Sequence, residues 1–244
     1  MREISPSCRT LVLVCTYNEL ANLPRLIDEI QRVTPTSHIL VIDDGSPDGT
    51  GNWGAEHSKT HPAMQLIQRG AKLGLGTAIK TGLNYAIEQG YEYVVNLDAD
   101  FSHDPACIPT LFETAIQHKS SLVIGSRYVA GGGLRNCSWR RHLVSRAANI
   151  YARWMVGWKI RDCSSAYRCY RIAALQKMDL SRIECAGYGF LEEILWGILQ
   201  AGGSVMEIPI IYTEREQGES KISLNEAAGT LAVIHRMARL RFLS

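Results

Sequence analysis

Two aspartates one residue apart, Asp98 and Asp100, follow the apolar run Val94-Val95-Asn96-Leu97. Carboxylates held that close repel one another, and a hard divalent cation relieves the repulsion. Magnesium or manganese binds in this way, through one or two carboxylates and the oxygens of a phosphorylated substrate, so the pattern points to a diphosphate. Three other polar clusters stand in the same setting. Thr16-Tyr17-Asn18-Glu19, Asp43-Asp44-Gly45-Ser46 and Ser126-Arg127-Tyr128 each close an aliphatic run. The stretch Gly70-Ala71-Lys72-Leu73-Gly74-Leu75-Gly76-Thr77 is glycine-rich and opens a helical pattern, where backbone amides suit an anion.

Several chemistries are excluded by spacing. Lys80-Thr81 lies inside the helix that the glycines open, so the loop is not a Walker-type phosphate cradle. No Gly-x-Gly-x-x-Gly follows the first strand, which argues against a dinucleotide-dependent oxidoreductase. A Gly-x-Ser-x-Gly is absent, and the histidines are too scattered for a zinc site.

The polar clusters can act together only if strands deliver them to one edge. Continuous β-branched and aliphatic runs over 10–15, 38–42, 64–68, 93–97 and 122–125 predict strands buried on both faces. Helical spacing of apolar residues over 20–33, 74–89 and 108–118 separates them. Strands alternating with helices imply a parallel sheet covered on both faces, with ligands beyond the carboxyl ends of its strands. Further on, 190–199 and 223–243 read as helices and 205–211 as a strand interrupted by Pro209. Around the helix 138–157, Trp139, Leu143, Val144, Ala147, Ile150, Tyr151, Trp154 and Met155 form one broad arc. His142, Ser145, Arg146, Asn149 and Arg153 form the other.

Composition bounds the rest. The chain has 244 residues, 46% apolar, with a net charge of +2, enough to fold around a core rather than remain disordered. Apolar runs are strand-sized, and residues 1–10 do not resemble a secretion signal. Seven cysteines with no Cys-x-x-Cys pair fit a reducing compartment. Between Arg135 and Arg168, eight lysines and arginines face a single acid, Asp162, so this block is strongly basic in an otherwise acidic body. That asymmetry calls for an anionic partner: a nucleic acid, a lipid headgroup or a phosphorylated substrate. No nucleic-acid module is recognisable, and the aromatic residues lie on the apolar arc, so nucleic acid is disfavoured.

The four strand-end clusters, with Gly74-Leu75-Gly76, resemble inverting glycosyltransferases of family 2, which have the GT-A fold. Asp162-Cys163-Ser164-Ser165-Ala166-Tyr167-Arg168-Cys169-Tyr170-Arg171 and Gly218-Glu219-Ser220-Lys221-Ile222 are similar to segments of the dolichol- and polyprenol-phosphate mannose synthases. The resemblance runs from Thr10 to Lys221 with the motifs in matching order. It implies an α/β fold with a mostly parallel, Rossmann-like sheet, helices on both faces and a C-terminal amphipathic helical appendage. One domain would span 1–244, with 135–160 and 223–243 as candidate membrane-interface helices.

The implied reaction moves a sugar, by default mannose from GDP-mannose, to a polyprenyl or dolichyl monophosphate with inversion. A UDP-glucose-type donor or a non-lipid acceptor is the alternative. Thr16, Tyr17, Glu19, Asp43, Asp44, Lys72, Gly76, Asp98 and Ala99 would hold the nucleotide sugar. Asp98 and Asp100 would bind the Mg2+ or Mn2+ ion. Ser126, Arg127, Arg141 and Arg168 would meet the acceptor phosphate, and Asp100, Arg127, Arg141, Arg215 and Lys221 would form the catalytic set. Two positions depart from the family: Cys15 stands where proline is usual, and Ser102 where some relatives have a metal-binding glutamine. The implied setting is peripheral, at the cytoplasmic face of a membrane, with a membrane-anchoring subunit as a candidate partner.

Overall fold

The computed structural model describes residues 8–214 and 224–243. The first half alternates strictly: β1 (Thr10–Thr16), α1 (Leu23–Val33), β2 (His38–Asp43), α2 (Thr50–Thr60), β3 (Met64–Gln68), α3 (Leu75–Glu88) and β4 (Tyr93–Asp98). Next come α4 (Ile108–His118), β5 (Leu122–Ser126), β6 (Gly133–Arg135), α5 (Trp139–Val156), β7 (Arg168–Arg171) and the single turn α6 (Ile172–Leu175). The chain ends with α7 (Phe190–Gln200), β8 (Val205–Pro209), β9 (Ile211–Thr213) and α8 (Leu224–Leu243). Seven strands form one sheet in the order β3-β2-β1-β4-β7-β5-β8, while β6 and β9 pair separately. Every neighbour pair in the large sheet is parallel except those of β7, which runs antiparallel between β4 and β5.

Period-two alternation divides the core between the two faces. Leu11, Leu13, Leu40 and Ile42 pack with Ile79 and Leu83 of α3, Ile194 of α7 and Ile234 of α8. Val12, Val14, Ile39 and Val41 pack with Leu26 and Ile27 of α1 and Leu111 and Phe112 of α4. Gly82 lets α3 lie close on β1, because a Cβ there would sit 2.4 Å from Leu13 Cδ1. In this register Thr16 pairs with Asp43 and Cys15 with Asp98, so β1, β2 and β4 end level with one another. The strand-end clusters therefore share one edge, as the alternating pattern predicts.

Several elements differ from the sequence reading: the strand expected over 205–211 breaks after Pro209 into β8 and β9, which join different sheets, and β6, β7, α2 and α6 were not expected. The β7 strand escapes it because arginines stand at both ends of four residues and Arg168 is nonetheless buried. The α2 helix has no apolar stripe; it buries Thr50, Gly51 and Gly54 and approaches β3 through its glycines, with a Gly54 Cβ only 3.2 Å from Leu66. The direction of α5, which periodicity left open, is set by its burial. Most of its apolar arc faces outward: Trp139 is 70% and Trp154 76% exposed, with Leu143, Val144 and Ile150 exposed beside them, while Tyr151 and Met155 pack against the core. Asn149, on the arc opposite the tryptophans, is buried with Ala152 and Val156. Behind α5, α8 packs on both α5 and α7. Among the described residues no helix is long and apolar enough to cross a membrane.

Candidate active site

An open cleft with about 760 Å³ of empty space, part of it continuous with solvent, lies beyond the ends of β1, β2 and β4. Thr16, Tyr17, Glu19, Asp44, Lys72, Asp98, Ala99 and Asp100 all line it. Cys15, Gly74, Leu75, Ala78 and Tyr188 complete the wall. Burial pushes the Cys15 thiol well above its ordinary range, so it remains protonated there.

The nucleotide-side wall is built from buried carboxylates. Asp44 accepts from the Leu73 and Gly74 amides at 2.9 and 3.0 Å and pairs with Arg69, both side chains being 8% exposed. Arg69 also donates to Thr77 Oγ1 at 2.7 Å. Asp44 and Arg69 thus staple the glycine-rich loop to the end of β2. Gly74 has φ +99°, which a side chain would strain, and its Cβ would meet the Ala186 carbonyl at 2.6 Å. At the mouth, Lys72 Nζ lies 4.2 Å from the centre of the Tyr17 ring, a cation–π contact joining two loops. Glu19 accepts from Asn22 Nδ2 at 3.0 Å, and its amide donates to Thr50 Oγ1.

The aspartate turn is held from below. The Asp98 amide donates to His103 Nδ1 at 3.2 Å, and the Ser102 amide donates to Asp100 Oδ1 at 3.1 Å. Phe101 takes φ +57°, a sharp bend for a residue with a side chain. His103 stacks on Tyr167 with ring centres 4.9 Å apart, and burial lowers its pKa to about 4, so it stands as a neutral acceptor. Whether this turn suits a divalent cation can be judged from its donors. Two hard carboxylates line the cleft, and the buried Ser102 Oγ has no hydrogen-bond partner among the described residues. No group of three His, Cys, Asp or Glu residues suited to a metal occurs among the described residues. Two carboxylates with room for phosphate and water oxygens fit magnesium or manganese.

On the other side of β4, Arg127 follows β5. It donates from Nε and Nη2 to Asp162, both at 2.7 Å, and from Nη2 to Ser164 Oγ at 2.8 Å. Burial works to lower the Arg127 pKa, but hydrogen bonds and the charge of Asp162 hold it above its ordinary value, so the guanidinium is charged. The Tyr128 and Tyr212 rings flank it at 5.2 and 5.7 Å.

Four predicted positions do not line the cleft. Arg168 is fully buried and donates to the carbonyls of Cys163, Ser165 and Leu191, so it braces the interior and does not face an acceptor. Ser126 is also fully buried, its hydroxyl accepting from the Tyr128 amide. Asp43 lies behind the wall, taken up by Thr16 Oγ1 and by the Ser46 amide and hydroxyl. Gly76 serves packing: a Cβ would come within 2.6 Å of Phe190 Cβ and 2.7 Å of the Cys185 carbonyl. Arg141 falls in the first turn of α5 with its side chain undescribed, and Arg215 and Lys221 lie outside the described residues. Arg69, His103, Asp162 and Tyr188 were given no role from the sequence. Arg69 carried one usable signal, since it follows β3 at the same edge.

An open α/β sheet with a two-carboxylate cleft beyond its strand ends is the arrangement in which this class of fold binds its ligands. The chain belongs to glycosyl transferase family 2, which matches residues 11–179, and it is a glycosyltransferase. It is 43% identical over 221 residues to the polyprenol monophosphomannose synthase of Mycolicibacterium smegmatis, covering 90% of this chain and 83% of that protein. It is 40% identical to the undecaprenyl-phosphate mannosyltransferase of Micrococcus luteus, covering 88% of each. Among solved structures, glucosyl-3-phosphoglycerate synthase from Mycobacterium tuberculosis, in complex with Mn2+, UDP and its product, matches with a TM-score of 0.68. That match covers 96% of this chain and 81% of the other at 19% identity, and it shows the GT-A fold.

Proposed function

We propose that this glycosyltransferase moves mannose from GDP-mannose to a polyprenyl monophosphate, inverting the anomeric centre, at the cytoplasmic surface of a membrane. The two mannosyl relatives support the sugar and the acceptor class. The observation that carries the lipid acceptor is the outward apolar face of α5. Trp139, Leu143, Ile150 and Trp154 form an exposed stripe beside Arg140, Arg146 and Arg153. Such a stripe is costly in water and suits a headgroup layer, where indoles sit at the interface and arginines meet lipid phosphate. On this reading the chain acts as one catalytic domain with 135–160 and 223–243 at the membrane surface, with or without an anchoring subunit.

The residues divide the work simply. Asp44, Lys72, Tyr17 and Glu19 line the nucleotide end of the cleft, and Asp98 and Asp100 hold the cation. A divalent cation held there would supply Lewis-acid charge for the diphosphate leaving group. A phosphate monoester carries about −1.5 to −2 charges at pH 7 and needs no general base to attack. It needs positive charge to approach an anionic donor. Arg127 supplies that charge at the acceptor side, with Arg141, Arg215 and Lys221 assigned beside it from the family motifs.

A transfer assay with GDP-mannose labelled in the sugar tests this. Label should enter the organic phase with polyprenyl monophosphate and remain in water with the corresponding polyprenol or with 3-phosphoglycerate. Faster transfer to 3-phosphoglycerate, or from UDP-glucose, would replace this assignment.

A further inference from the structure

Asn149 lies on the inward face of α5 and is 2% exposed, opposite the tryptophan stripe. Its carboxamide is used at both ends. Nδ2 donates to Ser164 Oγ and to the Ser145 carbonyl, each at 3.0 Å. Oδ1 accepts from the Cys163 amide at 2.9 Å and from its thiol at 3.1 Å. Ser164 Oγ is also an acceptor for Arg127 Nη2, and Asp162, two residues earlier, takes Nε and Nη2 of the same guanidinium. The 162–164 loop therefore provides both acceptors that orient Arg127, and Asn149 ties that loop to the helix. The inward neighbours Ala152 and Val156 make apolar contacts, which do not fix direction. Carboxamide bonds are directional, and a guanidinium recognises phosphate only when its plane is fixed.

We propose that Asn149 is a positioning residue for the acceptor phosphate, setting Arg127 through the 162–164 loop. The proposal rests on the reading of Arg127 as an acceptor-phosphate group. It also explains why a polar residue of poor helix propensity faces inward on a helix whose apolar side faces out.

The test uses a short prenyl monophosphate dissolved below its aggregation concentration, so that vesicle binding does not enter, with donor at saturation. N149A and S164A should each raise the acceptor KM roughly five- to twentyfold, with donor Kd unchanged within about twofold. The double variant should be no worse than the worse single, because both break one path. S164A removes only a hydroxyl and keeps the test open where N149A folds poorly. An unchanged acceptor KM in S164A, additive effects in the double variant, or a parallel loss of donor affinity overturns the proposal. Arg127→Lys separates the two ideas. If it raises the acceptor KM while N149A and S164A do not, the positioning role fails alone. If it leaves that KM unchanged, the reading of Arg127 fails.

Discussion

Asp98 and Asp100 line the cleft, whereas Arg168, from an equally family-like segment, is turned into the interior and held by three carbonyls. Residue type was readable at both places; direction was not, because it depends on strand parity and on what lies behind. Asp100→Asn is expected to cut transfer at saturating donor by about 100-fold or more while the Tm stays within a few degrees, since the charge faces the cleft. Metal titration of donor binding, alongside activity, checks it: a variant that still binds donor in a metal-dependent way contradicts the assignment. Behind the site, Glu192 is fully desolvated. Burial raises its pKa to about 7 with Arg168 pulling against it, and its Oε2 has no partner among the described residues. A carboxyl that binds its proton more tightly when folded adds stability below its unfolded pKa, near 4.5, and loses it as the pH rises through about 7. Glu192→Gln should therefore raise the Tm at about pH 8 and leave it nearly unchanged at about pH 4, which thermal melts at the two pH values measure.

At the scale of elements, the buried parallel strands were legible because each is a continuous aliphatic run ending in polar residues. The bounds of β3 and α4 are those that spacing predicts. The α2 helix was not legible, since glycine contacts rather than an apolar stripe seat it, and β7 was hidden by its arginines. For α5, periodicity defined an apolar arc but not its direction; the structure turns most of that arc outward and buries Asn149 instead. The exposure of Trp139 and Trp154 makes a clean prediction. Replacing both by serine should weaken binding to anionic vesicles by about tenfold or more, the scale expected from two indoles at ~25 cal/mol per Å². The Tm should hold within a few degrees, and the remaining binding should fall further as salt rises. Vesicle sedimentation and melting on the same samples decide it: lost stability with unchanged vesicle affinity would place these tryptophans in the fold rather than at the lipid.

Across the whole molecule, β4 stands between the cleft walled by β1, β2 and the glycine-rich loop, where the proposed function puts the donor, and the Arg127 side, where it puts the acceptor phosphate. The C-terminal helix is tied to the same structure. Arg236 of α8 pairs with Glu184 and Glu193, and Glu193 accepts from the Cys185 amide at 2.9 Å, next to the Ala186 carbonyl that accepts from the Gly76 amide at 2.8 Å. On the proposed function, the acceptor phosphate attacks the donor's anomeric carbon directly, on the face opposite the departing diphosphate. The anomeric configuration of the product, measured by NMR on the lipid-linked mannosyl phosphate made from GDP-α-mannose, tests this most directly. A β-mannosyl phosphate, formed only with polyprenyl monophosphate present, is the predicted result. An α-linked product, or release of free mannose at the same rate with and without the acceptor, would contradict it.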